Sequence, residues 1–428
     1  MIEPDRIREI IAGGENLTAL SVAGATWDDL DPLEFHRLRQ TIGDQHGDQT
    51  LLGLSDLEMA KALGLVEANG QARHPTVAGL LVLGREKALR EHLPTHEVAF
   101  QVLRRGRIEV NEFFRGPLVQ VSDLIYQRFR ARLREEELMV GMQRIGVPEY
   151  TPTAFREAVH NALLHRDYAH LGTVYVQWYE GRIEVSNPGG FVEGVRLDNL
   201  LVVRPRPRNP VLADAFKRIG LVERTGRGID LIFEGQLRTG HRPPDYSRSD
   251  ETGVTVVLSG GSADLAFIRF VIEQERTGRE LSLDDLLVLG ELRQIGQVDI
   301  RRVASLTQKP QGQGMAQLER MVQYGWLEAG GTGEKRAYRL AATVREAFGL
   351  TGEMAAGARW VELEHCEVLV REHIRAHGKI TRAEAAELCA LSKPQAYRLL
   401  KRLADRGLLR QAGGGRGTYY EEMHGTGE

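Results

Sequence analysis

A chain of 428 residues exceeds one ordinary core, since domains run to about 100–200 residues, so about two to four units are expected. Hydrophobic residues at 42%, charged residues at 27% and the lack of a run of about 20 apolar residues indicate a globular protein without a membrane-spanning helix. A net charge of −3 and two cysteines, Cys366 and Cys389, with no Cys/His neighbours at zinc-finger spacing, argue against a disulfide scaffold or structural zinc and fit a reducing cytoplasm.

The first region, 1–50, opens on MIEPDRIREII, which is too charged for a signal peptide and patterned as a short amphipathic helix. A polar stretch then runs to the HGDQT turn. Residues 51–145 read as an α/β segment. From Ser55, DLEMAKALGLV is a helix closed near Gly64, and PTVAGLLVLG is a compact apolar segment that must be buried. HEVAFQVL (96–103) reads as a strand. Pro117 to about Met139 reads as one long helix, apolar at Leu118, Val121, Leu124, Ile125, Phe129 and Leu133, with REEE (134–137) as a solvated end.

Residues 146–262 form the next unit. Thr153 to Leu164 is predicted helical, with Pro152 as a favoured start. TVYVQWYEG and RIEVSNP form a hairpin about Glu180-Gly181. The stretch from Val195 to Asn209 is loop-rich and contains RPRPRNP, read as a solvated loop whose arginines could instead reach a γ-phosphate or DNA. Helices are predicted from Pro210 to Ile219 and after Gly226, then a strand from Gly253 to Leu258.

Two similar blocks follow, 263–345 and 355–422, each reading helix, short strand, helix, helix and Gly-rich hairpin. In the second, Thr381 caps RAEAAELCAL and Glu384 completes a capping box. Ser392 caps SKPQAYRLLKRLADRG, which ends at Gly407, and LLRQAGGGRGTYY gives two strands around a glycine-rich tip. This is a winged helix-turn-helix. Groove-reading side chains belong in the N-terminal half of its second helix, where Lys393, Gln395, Tyr397 and Arg398 lie. Lys401, Arg402, Arg410 and Arg416 are placed to meet phosphates, and Leu399, Leu400, Leu403 and Leu408 are core. The alternative is a winged helix used for protein contacts. In the first block, Arg301 to Leu306 and Gln313 to Tyr324 are the paired helices, with Lys309, Gln311, Gln313 and Gln317 about the second and Lys335 and Arg336 near the wing tip. Direct DNA contact and a spacer or dimerising role both remain open for it.

REAVHNALLHRDY (156–168) places Glu157 and Asn161 four residues apart on one helix face, with His165 one step further. An amide oxygen there can bind Mg²⁺ while a carboxylate orients a water; the plainer alternative is an exposed polar face. His160, beside this stripe, reads as structural. EVSNPGGF (184–191) follows a strand, and ERTGRGID (223–230) opens a helix, so Gly226 and Gly228 can let backbone approach phosphates at a helix N-terminus.

The order of these boxes resembles the ATP-binding fold of gyrase, histidine kinases and mismatch-repair ATPases (GHKL). It is most similar to the branch found in predicted bacterial transcriptional regulators of the divergent AAA-4/AlbA_2, Schlafen-like type with winged helices. The likeness covers about residues 50–262, and HRDY (165–168) is a marked feature of it. It implies an α+β multidomain protein, a GHKL-like α/β sandwich (mixed sheet plus helices) followed by two winged helix-turn-helix domains. By that likeness Glu157 is the general base and Asn161 the Mg²⁺ ligand, with His165, Gly189, Gly190, Gly226 and Gly228 about the ATP. The larger superfamily has Asp in the first glycine box, accepting from the adenine amine. Asn187 stands there in this chain, and its carbonyl accepts without charge. Residues 1–50 look like a remnant of an AlbA_2-like region, with IREIIAGGEN resembling its opening. Some relatives carry a helicase-like label, but this sequence has no G-x-x-x-x-G-K-S/T phosphate loop.

Three functions fit. The first is a cytoplasmic, homodimeric transcriptional regulator whose grip on double-stranded DNA responds to bound nucleotide. The second is an ATP-hydrolysing enzyme acting on DNA or in a defence or repair complex. The third is a degenerate ATPase fold used as a dimerisation scaffold. Asn187 favours binding over turnover.

Overall fold

The computed structural model describes residues 16–422, except 70–71, 223–225, 332–335, 351–365, 368, 372, 375–376, 390–392, 406–407 and 414–417. The expected N-terminal amphipathic helix, the Ser392 cap, the Gly407 helix end, Lys335 and Arg416 lie outside the described residues. The chain divides into two compact units, one of Met1–Leu292 with Gln297–Gly349 and one of Leu350–Glu428 with Arg293–Gly296.

In the first unit, Asp31 caps helix α1 (Pro32–Asp44), which buries Phe35, Leu38 and Ile42. The composition of this stretch predicts only a polar segment. Its inward face is only three large side chains wide, and Leu33 points out with 73% exposed, so the helical period is diluted. A Ser55–Glu58 capping box starts α2 (Asp56–Ala62), followed by the hairpin β1 (Val66–Asn69) and β2 (Ala72–Pro75). The segment expected to be buried is α3 (Val77–Leu83), every residue of which is buried, and α4 (Glu86–His92) follows.

Strands β3 (Val98–Arg104) and β4 (Arg107–Phe114) lead to α5 (Leu118–Arg130). The single helix expected to reach Met139 is therefore corrected: β5 (Glu135–Val140) and β6 (Gln143–Pro148) form a hairpin, and REEE runs into its first strand. Leu138, Val140 and Val147 are buried with Ile268, a partner far along the chain. That tertiary cover, presented at period two, overrides the helix preference of EEELM.

Next come α6 (Pro152–His165), β7 (Val174–Tyr179), β8 (Arg182–Pro188), α7 (Pro210–Ile219), α8 (Gly228–Arg238) and β9 (Gly253–Ser259). The sheet order is β4-β3-β7-β8-β9. Only β3 and β7 run parallel, so the sheet is mixed. At its open side β4 leaves Ile108 and Phe113 54% and 49% exposed. Helix α6 packs on α8 and β8, anchored by Phe155 stacked on Phe129 with ring centres 4.0 Å apart.

The first unit ends in a winged helix. It comprises α9 (Leu265–Arg276), α10 (Leu283–Ile295), α11 (Ile300–Thr307), α12 (Gln311–Gln323), the wing β10 (Leu327–Gly330) with β11 (Ala337–Leu340), and α13 (Ala342–Ala347). Val298 bridges to Tyr338, standing for the short strand of the pattern. Buried Asp285 pairs with Arg320 at 2.7 Å and caps its own helix through Ser282.

In the second unit the described residues between 366 and 377 are mostly helical. They are followed by β12 (Ile380–Thr381), α14 (Arg382–Leu388), α15 (Lys393–Asp405), β13 (Leu409–Ala412) and β14 (Tyr419–Glu422). The strands form a sheet ordered β12-β14-β13 over a core of Val370, Ile374, Ile380, Leu399, Leu400, Leu403 and Tyr420. The fold is α+β and multidomain, with a helix-turn-helix domain at its C-terminal end, as the sequence predicts.

Candidate nucleotide site and DNA-reading helix

Helix α6 follows its N-cap residue Thr151, with Pro152 in its first turn. One face buries Phe155, Ala158, Val159 and Leu163. The other carries Glu157, Asn161 and His165, and all three line one cavity of about 530 Å³. Val185, Asn187, Val254 and Val256 of the sheet also line this cavity, with the 200–207 segment, Gly190, and Gly226, Gly228 and Asp230 about the start of α8. The apolar sheet residues suit a planar ring, and the polar stripe faces them across the same space.

Gly228 decides how close the two helices come. A Cβ there would lie 2.9 Å from Glu157 Oε2 and 3.6 Å from Asn161 Nδ2, so a larger residue would push the Glu157 carboxylate out of its present place beneath the start of α8. Gly226 has a φ of +75°, in the left-handed region. Gly189, by contrast, lines a neighbouring cavity with Asp167 and Arg208. Its φ is +89°, and its N–H reaches Thr252 O at 2.8 Å, so it shapes the turn after β8.

Asn187 is buried, and its Nδ2 donates to Pro188 O at 3.1 Å. Burial and the nearby Arg208 charge push the His165 imidazole down to about 4, which keeps it neutral at physiological pH. Burial and Arg156 push His160 down to about 3, and its Nε2 meets Ser122 Oγ at 2.7 Å, the structural role expected of it.

RPRPRNP is more than a solvated loop. Arg204 and Arg206 are exposed and line the cavity, as do Lys217 and Asp214. Arg208 instead ties three elements together. Its Nε donates to His165 O at 3.0 Å, Nη1 to Asp167 Oδ2 at 3.3 Å and Nη2 to Gly190 O at 2.7 Å. Asn209 Nδ2 donates to Leu164 O and Arg166 O, both at 2.8 Å. Within HRDY, Arg166 is fully buried and donates to Gly172 O at 2.7 Å, while Tyr168 Oη donates to Leu163 O at 3.0 Å. This segment fixes the end of α6. Arg208 was missed by sequence reasoning because its partners lie 18 to 43 residues away.

Among the described residues no group of three or more His, Cys, Asp or Glu side chains could hold a metal. Mg²⁺ does not need such a cage, since it keeps waters and takes oxygens from phosphates alongside one or two protein groups. The Glu157–Asn161 pair fits that requirement.

In the C-terminal unit, the Thr381–Glu384 capping box forms as read from the sequence. On α15, Tyr397, Arg398 and Lys401 are exposed, and Leu399, Leu400 and Leu403 are buried. Arg402 pairs with Glu367 at 2.9 Å, and Arg410 Nε donates to Glu421 Oε1 at 2.9 Å, so both cations already face an acid. Lys393 and Gln395 lie at the start of α15.

Three families match parts of the chain. One, described as "Putative ATP-dependent DNA helicase recG C-terminal", covers residues 172–258, from β7 to β9. The IclR helix-turn-helix domain covers 372–413. The chain joins an ATPase-like domain to a helix-turn-helix domain. A domain of unknown function, DUF8451, covers 14–99, from before α1 into β3. No curated protein matches this chain. Among solved structures, the DIP2311 protein from Corynebacterium diphtheriae is similar, with a TM-score of 0.63 and 22% identity over 98% of this chain and 72% of that one. At that identity the likeness is one of fold. No helix of the described residues is long and apolar enough to cross a membrane.

Proposed function

We propose that this protein is a DNA-binding transcriptional regulator whose ATPase-like domain binds ATP with Mg²⁺ and modulates DNA binding. The observation that carries this reading is the placement of Glu157 and Asn161 in one cavity, directly beneath Gly228 at the start of α8. Bound Mg²⁺ would supply charge neutralisation to the phosphates. Asn161 offers it an amide oxygen, and Glu157 orients a water beside it. The backbone about Gly226 and Gly228 offers N–H groups to the phosphates, aided by the dipole of α8. Gly190 lines the same wall, neutral His165 stands at the end of the stripe, and Asn187 accepts from the adenine amine. In this reading α15 and the wing meet DNA: Lys393, Gln395, Tyr397 and Arg398 are assigned to the groove, and Lys401, Arg402, Arg410 and Arg416 to phosphates, with Arg402 and Arg410 leaving Glu367 and Glu421 to do so.

The domain limits that go with this reading are 1–50, 51–145, 146–262, 263–345 and 355–422. The finer kinship is with AAA-4/AlbA_2, Schlafen-like regulators, and the working form is a cytoplasmic homodimer. Binding without turnover is preferred, because Asn187 removes the charge that the superfamily uses. The seat of Glu157 supports hydrolysis as a second reading.

The test is a titration of labelled ATP with Mg²⁺ into wild type and Asn161→Ala, with hydrolysis followed in the same samples. Saturable binding by wild type that weakens at least about tenfold in the variant is expected, the loss of one ligand to a charged centre. A wild type that binds no nucleotide overturns the reading.

A further inference from the structure

The turn between α11 and α12 is engaged with the nucleotide cavity. Gln308 occupies that turn with a φ of 56°, in the left-handed region. Its carboxamide meets one stretch of main chain twice. Oε1 accepts from Leu201 N at 2.8 Å, and Nε2 donates to Leu197 O at 2.9 Å. A carboxamide presents one acceptor and one donor in a plane, which matches the carbonyl and N–H of a backbone segment. That segment supplies Val195, Leu200, Leu201, Val202 and Val203 to the cavity lining.

Two neighbouring polar groups are also engaged within the unit, while Gln311 and Gln313 are exposed. Lys309 Nζ meets Asp284 Oδ2 at 2.6 Å, and Gln317 Nε2 donates to Asp285 Oδ1 at 3.3 Å. Asp230, on the cavity wall, pairs with Arg227 at 3.6 Å. The rim segment has little apolar packing of its own at Leu197 and Val202, which are 44% and 46% exposed. Hydrogen bonds therefore weigh heavily in fixing its position.

We propose that the first winged helix serves as the docking partner of the cavity rim, with Gln308 holding residues 195–203 in place and so setting the affinity of the cavity for its nucleotide. This rests on the nucleotide reading above. With the clasp formed, the rim is already ordered around an open cavity; without it, a ligand must order the rim on binding.

The test uses the full chain as wild type, Gln308→Gly and Gln308→Asn. Glycine takes the left-handed turn without steric cost, and asparagine tolerates it while falling one methylene short. Amide exchange at Leu201 and titration with a fluorescent ATP analogue in Mg²⁺ are read side by side. Both variants should exchange Leu201 faster and bind the analogue about five- to tenfold more weakly, the effect of two lost hydrogen bonds partly replaced by water. Unchanged exchange at Leu201 overturns the docking. Faster exchange with unchanged analogue affinity overturns the coupling. A wild type that binds no analogue overturns the nucleotide reading itself, and the exchange arm then decides the docking alone.

Discussion

The two winged helices share an order of elements and differ in what meets the turn and second helix. In the first, the turn before α12 clasps backbone at Leu197 and Leu201, and Lys309 and Gln317 are held by Asp284 and Asp285. In the second, Tyr397, Arg398 and Lys401 stand exposed on α15. The difference teaches that the helix-turn-helix outline specifies a scaffold, and that side chains in the turn, such as Gln308, decide what it meets. An amide with two main-chain partners is engaged with its own chain, while α15 presents an exposed tyrosine, arginine and lysine at its surface.

The largest expected effect separates the domain that holds the first winged helix by pH. Burial pushes His96 down to about 4 and His160 down to about 3. Their folded values lie below the unfolded value near 6.5, so the unfolded chain binds these protons more tightly. Stability is present above about 6.5 and is lost as pH falls from there toward 4 and then 3. Two histidines at roughly 1.4 kcal/mol per pH unit remove about 3 kcal/mol by pH 5.5. Thermal melts of the full chain at pH 7.5 and 5.5 would show it, and an acid-insensitive first-unit transition would refute it.

Next comes Asp285→Ala. The buried carboxylate pairs with Arg320 and caps α10 through Ser282, so its loss costs about 2 kcal/mol, less than a fully buried pair because Arg320 is partly exposed. Urea unfolding reads this directly, and a change below measurement error would count against the packing described for α10 and α12. The smallest effect sharpens the comparison itself. Arg398→Ala with Lys401→Ala should weaken binding to a mixed-sequence duplex about tenfold and flatten its salt dependence. Lys309→Ala should leave that affinity within about twofold, since it removes no phosphate contact. Equal losses from both changes would erase the distinction between the two helices.

Sequence legibility followed the range of the interactions. Helix α7 was read to its terminal residues because Pro210 opens it and Gly220, in the left-handed region, closes it. The Thr381–Glu384 box was read because both members lie within one turn. The β5–β6 hairpin was lost to a helix because its cover, Ile268, is distant in sequence. At the site, the shared face of Glu157, Asn161 and His165 is visible as helical spacing, whereas the cavity over it depends on the distant 200–207 segment and α8. Arg208 and Gln308 were not visible, since Gln308 meets Leu201 across 107 residues and no local pattern encodes that.

The order of the five strands has a practical consequence for handling the protein. Strand β4 ends the sheet, and among the described residues no strand pairs with its outer side. Ile108 and Phe113 are exposed along it, interspersed with Arg107, Glu109 and Glu112. Its defence against templating a second molecule is therefore charge alternation rather than cover or a proline. Concentrated samples should be most prone to strand-to-strand association when Glu109 and Glu112 are replaced by neutral residues, which leaves Ile108 and Phe113 without acidic neighbours along the edge.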